Sequence, residues 1–121
     1  MIRNKTGVWG EIFAARYLRD NGYEILSSNY VCRFGEIDIV ARKNGVISFV
    51  EVKTRNQNTN VRPMEAVDEG KQKRLEMAAK SFLSATKMNA ESCFDVCEVY
   101  LDDNHALCGI NYIKNAFQVM R

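Results

Sequence analysis

Two short runs hold the residues best suited to chemistry. Glu36-Ile37-Asp38-Ile39-Val40-Ala41 carries Asp38, and Val46-Ile47-Ser48-Phe49-Val50-Glu51-Val52 carries Glu51, with Lys53 two residues beyond it. Two carboxylates and a lysine at close quarters suit attack on a phosphodiester. Mg²⁺ prefers one or two carboxylates, keeps several waters and is completed by phosphate oxygens. An ammonium beside it can orient the attacking water or stabilise charge developing on the phosphate.

The chain must bring these residues together, and Asn44-Gly45 between the runs is the strongest short-range signal for a two-residue hairpin turn. With Lys43 facing Val46, the register continues to place Asp38 opposite Glu51 and Glu36 opposite Lys53. Opposed residues share a sheet face with Cβ atoms about 4.5–5.5 Å apart, so these four form a polar square at the open end. Val40 and Phe49 continue that face, and Ile37, Ile39, Val50 and Val52 line the other. Strands apolar on both faces are central and buried. Opposed Asp and Glu then repel at a desolvation cost that a metal ion or a lysine would remove. The structural alternative is a salt-bridged sheet end, with Glu36 pairing with Lys53.

The surrounding elements follow from periodicity. A helix runs from Gly7 to Asn21 and is closed by Gly22, and a first strand spans Tyr23 to Tyr30. After the hairpin, Asn56 to Arg62 forms the longest loop, with the sole proline, Pro63, in the same polar segment. Val67, Leu75, Ala78, Ala79, Phe82 and Leu83 then mark a helix over about Glu65 to Ala85. Strands from Phe94 to Leu101 and Leu107 to Ile113 end the series, with Asp102-Asp103-Asn104 as the turn. Helix, three strands, helix, two strands make a mixed α/β domain whose second helix is a crossover, giving a partly parallel sheet.

On the first helix the predicted inward stripe is Val8, Ala15 and Leu18 with Ile12 beside it, and Glu11 falls within it. A carboxylate there either gains from the helix dipole or joins the acidic residues of the sheet. Arg55 continues the face of Glu51 and Lys53, as a phosphate clamp or an exposed strand-end arginine. Lys71 precedes Leu75, Ala78 and Phe82 on the second helix's inward stripe, as a phosphate contact or a stem lying over the core. Asp95 reads as a strand-start hydrogen-bond acceptor. Trp9, Phe13 and Tyr17 share a helix side, for packing or a subunit contact.

The 121 residues, 46% hydrophobic and 26% charged, are enough for one domain over 1–121 without disulfides or structural metal. A net charge of +2 is too small to identify a nucleic-acid binder by itself. The local clusters Lys71, Lys73, Arg74, Lys80 and Arg3, Lys5, Arg16, Arg19 are either solvated helix faces or phosphate-contacting surfaces. Cys32, Cys93, Cys97 and Cys108 include no CxxC pair and only His105 could join them, which argues against zinc. Cys93 and Cys97 read as strand or core positions. With neither a secretory leader nor an apolar run of about 18 residues, the expectation is a cytoplasmic protein with reduced thiols and no membrane partner.

The sequence closely resembles the YraN-like family of small bacterial proteins and, more broadly, the PD-(D/E)xK restriction-endonuclease-like superfamily near the Holliday-junction resolvases. The likeness lies in Gly10-Glu11, Ala14-Ala15, Tyr17-Leu18, Asn21-Gly22-Tyr23, Gly35-Glu36-Ile37-Asp38 and Phe49-Val50-Glu51-Val52-Lys53-Thr54-Arg55, then Lys71, Phe94-Asp95-Val96 and Ala116-Phe117. It covers nearly the whole chain, and its two central stretches are highly specific to the family.

The resemblance implies a mixed central sheet flanked by helices. It also implies that Asp38 and Glu51 would ligate Mg²⁺ or Mn²⁺ with the Val52 carbonyl, that Lys53 is the catalytic lysine, and that Glu11 is the helix-borne acid. Where such proteins commonly carry a basic residue before Phe-Asp, this chain has Cys93, so a phosphate contact from that strand does not carry over. The function to expect is a metal-dependent nuclease acting on DNA, with branched or structured DNA as one candidate substrate and a homodimer as the analogy with resolvases suggests. The alternative is a nucleic-acid or protein-binding module that keeps the nuclease fold without turnover.

Overall fold

A computed structural model describes residues 5–58 and 67–118. Its elements are α1 (Lys5–Asp20), β1 (Glu24–Cys32), β2 (Gly35–Lys43), β3 (Val46–Asn56), α2 (Glu69–Thr86), β4 (Glu91–Leu101) and β5 (Leu107–Phe117). They form one five-stranded sheet in the order β1-β2-β3-β4-β5, in which only β3 and β4 run parallel. That is the expected mixed α/β sheet with α2 as the crossover. Asn56 closes β3 instead of opening a loop, while Pro63, the rest of that loop beyond Asn58, and Glu65 and Ala66 of the expected second helix lie outside the described residues. So do Arg3 and the side chain of Lys5 from the first basic cluster.

The turn chemistry sets the hairpin. Asn44 and Gly45 have φ of 52° and 78°, the paired positive values that a type I′ turn requires. From it, β2 and β3 pair as expected from Lys43↔Val46 to Ile39↔Val50. There the described pairing ends. The expected couples Asp38–Glu51 and Glu36–Lys53 are not rungs of this ladder. Glu36 instead pairs with Val31 on β1. The second helix starts at Glu69, because Asp68 caps it by accepting the Lys71 backbone N–H at 2.8 Å.

Each sheet face has its own core. Leu75, Ala78, Ala79 and Phe82 of α2 pack on Ile37, Val40, Ile47, Phe49, Phe94 and Val96, whereas Ala14 and Leu18 of α1 pack on Ile39, Ala41, Val50, Cys97, Val99 and Leu101. Ile37 therefore belongs with Val40 and not, as strict alternation required, with Ile39. The chain changes face at Asp38.

The inward stripe of α1 also differs from expectation. Gly10, Ala14 and Leu18 are buried, while Val8 and Ile12 are exposed at 37% and 41%. Small residues let the helix axis approach the sheet, and their modest hydrophobicity conceals this in the sequence. A Cβ at Gly10 would stand 1.9 Å from Thr54 Oγ1 and 3.0 Å from its Cβ. Gly10→Ala is expected to cost about 1–3 kcal/mol in urea unfolding by overpacking, with Thr54→Ala in the same chain recovering most of the loss. An unchanged midpoint would mean that α1 has room to move.

The fourth and fifth strands extend beyond the predicted ends. Asp95 is an acceptor, as expected, but within the strand: it takes the Tyr112 hydroxyl at 2.6 Å and the Asn115 backbone N–H at 3.0 Å. Asn115 has φ of 50°, and the β4–β5 register shifts between Phe94 and Val96. This buried carboxylate thus pins a bulge that carries β5 on to Phe117.

Candidate functional site

Beyond Ile39↔Val50 the strands separate, and the side chain of Asp38 takes the place of a ladder partner. Its Oδ2 accepts the Val52 backbone N–H at 2.8 Å. Burial pushes the Asp38 carboxyl up to about 7, and the nearby charges of Glu51 and Glu11 add to the rise, while the Val52 N–H and Lys71 oppose it. Glu11 of α1 and Glu51 of β3 therefore both act on Asp38 of β2, at the point where β2 and β3 part.

They approach from different sides. Asp38 lines a cavity of about 310 Å³ together with Glu11, Ile12 and Ala15 of α1. Glu51 stands between Val50 and Val52, which face α1, so it projects toward α2, where Lys71 Nζ forms an ion pair with its Oε1. The polar square on one face gives way to a site that spans the gap between the strands. Glu36, half-buried, borders a smaller cavity with Lys71 and Arg74.

Lys53 is half-buried on β3, in register with Glu98 of β4. Glu98 is 1% exposed, and its Oε1 accepts from the Asn111 amide at 2.9 Å and the Tyr100 hydroxyl at 3.3 Å. No periodicity pointed to this buried acid, since it interrupts an otherwise apolar strand. Arg55 is in register with Tyr100, whose hydroxyl it reaches electrostatically. Lys71, one of the two residues expected to contact nucleic acid, lies inside the acidic group. The backbone N–H of Val52 is engaged by Asp38.

The donor set suits a hard divalent cation. Among the described residues no three acidic, Cys or His side chains stand close enough to make a ready-made metal cage. Mg²⁺ needs no such cage, since one or two carboxylates plus water and substrate oxygens complete its shell. Burial does most to raise Asp38 and the charges of Glu51 and Glu11 add to it, a cost that a bound cation would relieve. Lys71 partly neutralises the group in the metal-free state, so it competes with a cation for Glu51. Lys71→Met is expected to lower the metal-free stability by about 1 kcal/mol, the ceiling for a pair whose lysine is 40% exposed. The same change should tighten Mn²⁺ binding several-fold in calorimetry; weaker binding would make Lys71 a support of the site.

Trp9 stacks on Phe13 at 5.9 Å, and Tyr17 stacks on Tyr112 at 5.6 Å, so the aromatic side of α1 serves packing at least at Tyr17. Cys97 is buried and Cys93 half-buried on β4, as expected. No described helix is long and apolar enough to cross a membrane.

A five-stranded mixed sheet covered by a helix on each face makes a mixed α/β domain consistent with a nuclease-like fold. The chain belongs to the uncharacterised protein family UPF0102, the YraN family, whose model matches residues 10–99 and so spans Glu11, Asp38, Glu51, Lys53 and Lys71. A UPF0102 protein of Moorella thermoacetica is 44% identical over 118 residues, covering 97% of this chain and 98% of the relative. One from Caldicellulosiruptor saccharolyticus is 42% identical over 120 residues, covering 97% of this chain and all of the relative. A third, from Clostridium perfringens, is 42% identical over 114 residues, 93% of each chain.

Proposed function

We propose that this protein is a divalent-metal-dependent nuclease that hydrolyses phosphodiester bonds in branched or otherwise structured DNA. The observation that carries this reading is the convergence of Glu11, Asp38 and Glu51 from three elements, with Asp38 pushed up to about 7. Perturbed carboxylates in a cleft are characteristic of functional sites. Asp38 and Glu51 would hold Mg²⁺ or Mn²⁺, with Glu11 and the Val52 carbonyl completing the protein's share. The cation supplies Lewis-acid polarisation of the phosphate.

The chain's own groups do the rest. Lys53, two residues beyond Glu51 on β3, would supply an ammonium that stabilises charge developing on the phosphate oxygens. The Val52 N–H fixes the rotamer of Asp38, so that the carboxylate is aimed before substrate arrives. Arg55, one step further along the same face, would clamp a neighbouring phosphate bidentately. A two-fold homodimer would present two such sites to two strands.

The test is incubation of the purified full chain with Mg²⁺ or Mn²⁺ on four-way junctions, linear duplex and single strands. Cleavage of the junction, abolished by EDTA, is the expected result. If nothing is cut while salt-sensitive DNA binding persists in Asp38→Ala, the protein is a binding module on a nuclease fold.

A further inference from the structure

Both strands that approach the site change face at one and the same rung. On β1, Ser28 lines the cavity under α1, whereas Tyr30 packs on the α2 side, its ring 5.2 Å from Phe82 and its hydroxyl 2.9 Å from Ser81 Oγ. On β2, Ile39 belongs to the α1 core and Ile37 to the α2 core. Ser28 pairs with Ile39 and Tyr30 with Ile37, and the register passes over Asn29 and Asp38 between them. Two residues apart on an ordinary strand means the same face. Here the alternation slips once in each strand, and both Asn29 and Asp38 line the cavity that holds Glu11.

The slip on β1 is made by the backbone of Asn29, whose φ is 56°. Non-glycine residues rarely adopt that conformation, and Asn is among the few that do so at low cost. Its Oδ1 is buried without a hydrogen-bond partner. An unsatisfied buried acceptor costs about 1–3 kcal/mol, so one that persists calls for a cause. Glu11 and Asp38, when ionised, are acceptors too and cannot satisfy it, and the donors that share the cavity, Ser28 and Arg19, make no hydrogen bond to it. Three sets of oxygens on one cavity, from Glu11, Asn29 and Asp38, suit a hard cation with its waters. Asn also adds an oxygen without adding a negative charge beside Glu11 and Asp38.

We propose that Asn29 is a further oxygen ligand of this site, its carboxamide oxygen meeting directly, or through one water, the divalent cation that Asp38, Glu51 and Glu11 would hold. The inference rests on the metal-site reading above. A merely structural Asn29 would serve only to turn the strand, and Gly would do that equally well.

Calorimetric titration of the full chain with Mn²⁺ separates the two. Asn29→Gly keeps the positive φ and removes the oxygen; its Mn²⁺ affinity is expected to fall about 10–100-fold with no loss of metal-free melting temperature. Asn29→Asp keeps both the conformation and an oxygen, and is expected to bind Mn²⁺ at least as tightly as the natural chain. Natural-chain affinity in Asn29→Gly would overturn the inference and leave the metal site standing. Equal loss in both variants would also overturn it, by making Asn29 a structural residue. Absence of Mn²⁺ binding in the natural chain would remove the metal site and this ligand together.

Discussion

At pH 8 without divalent metal, Asp38→Asn should melt at a higher temperature than the natural chain while cutting no DNA. Asn retains an oxygen to accept the Val52 N–H but carries no charge into the acidic group. The sign follows from linkage. The folded-state pKa of Asp38, about 7, lies above the ordinary 3.8, so between these values the native chain holds a proton that the unfolded chain has released. Stability therefore falls as pH rises through that window, and the penalty is complete above it.

The gain from Asp38→Asn should thus be greatest above pH 7 and vanish near pH 4. One pKa unit is worth about 1.4 kcal/mol; with solvent screening at a partly exposed position, about 1–3 kcal/mol is expected at pH 8. Adding Mn²⁺ should stabilise the natural chain by mass action and leave the variant unmoved. Thermal melts from pH 4 to 9 test this, and a pH-independent difference would mean that Asp38 is not in conflict with its neighbours. Cleavage by the variant should fall to background, with Mn²⁺ affinity reduced by more than about 100-fold, beyond the loss usual for a supporting residue.

Lys53→Met separates turnover from metal binding. Its ammonium is not a cation ligand, so Mn²⁺ affinity should stay within a few-fold of the natural chain. Single-turnover cleavage at saturating Mn²⁺ should drop by about 10²–10³, the scale of removing one preorganised charge-stabilising donor. Lys53→Arg should not restore the rate, because a planar guanidinium presents its donors in a different geometry. The melting temperature must be read alongside, since Glu98 occupies the adjacent rung of β4 in a buried position. Cleavage within a few-fold of the natural rate would demote Lys53 to a structural partner of its neighbours.

The hairpin was the most legible part of the sequence, because Asn44-Gly45 specifies both the turn and the register, and the pairing follows that register as far as Ile39↔Val50. Where the ladder stops was not legible. It falls beside a left-handed Asn29 in a neighbouring strand, which nothing in the hairpin encodes. The acidic members of the site could be named from their types and from the resemblance, but the ion pair of Lys71 with Glu51 depends on how α2 docks, which periodicity leaves open. The stripe of α1 is hidden from a hydrophobicity pattern because Gly10 and Ala14 are buried for their small size. β5 runs past Ile113 to Phe117 because Asp95 anchors a bulge at Asn115, and the polar pair Lys114-Asn115 carries no sign of that anchor in the sequence.

The site's position at the open end of that hairpin also bears on how the chain reaches its native state. A hairpin zips from its turn, and these rungs are the most local pairings in the sheet, whereas β3 meets β4 only after α2 has crossed over. The repulsion among the carboxylates is then met last, after the apolar rungs have closed. A conflict that arises this late slows folding little and instead speeds escape from the native state. The acidic site sets how long the metal-free molecule stays folded, and a bound cation would lengthen that lifetime.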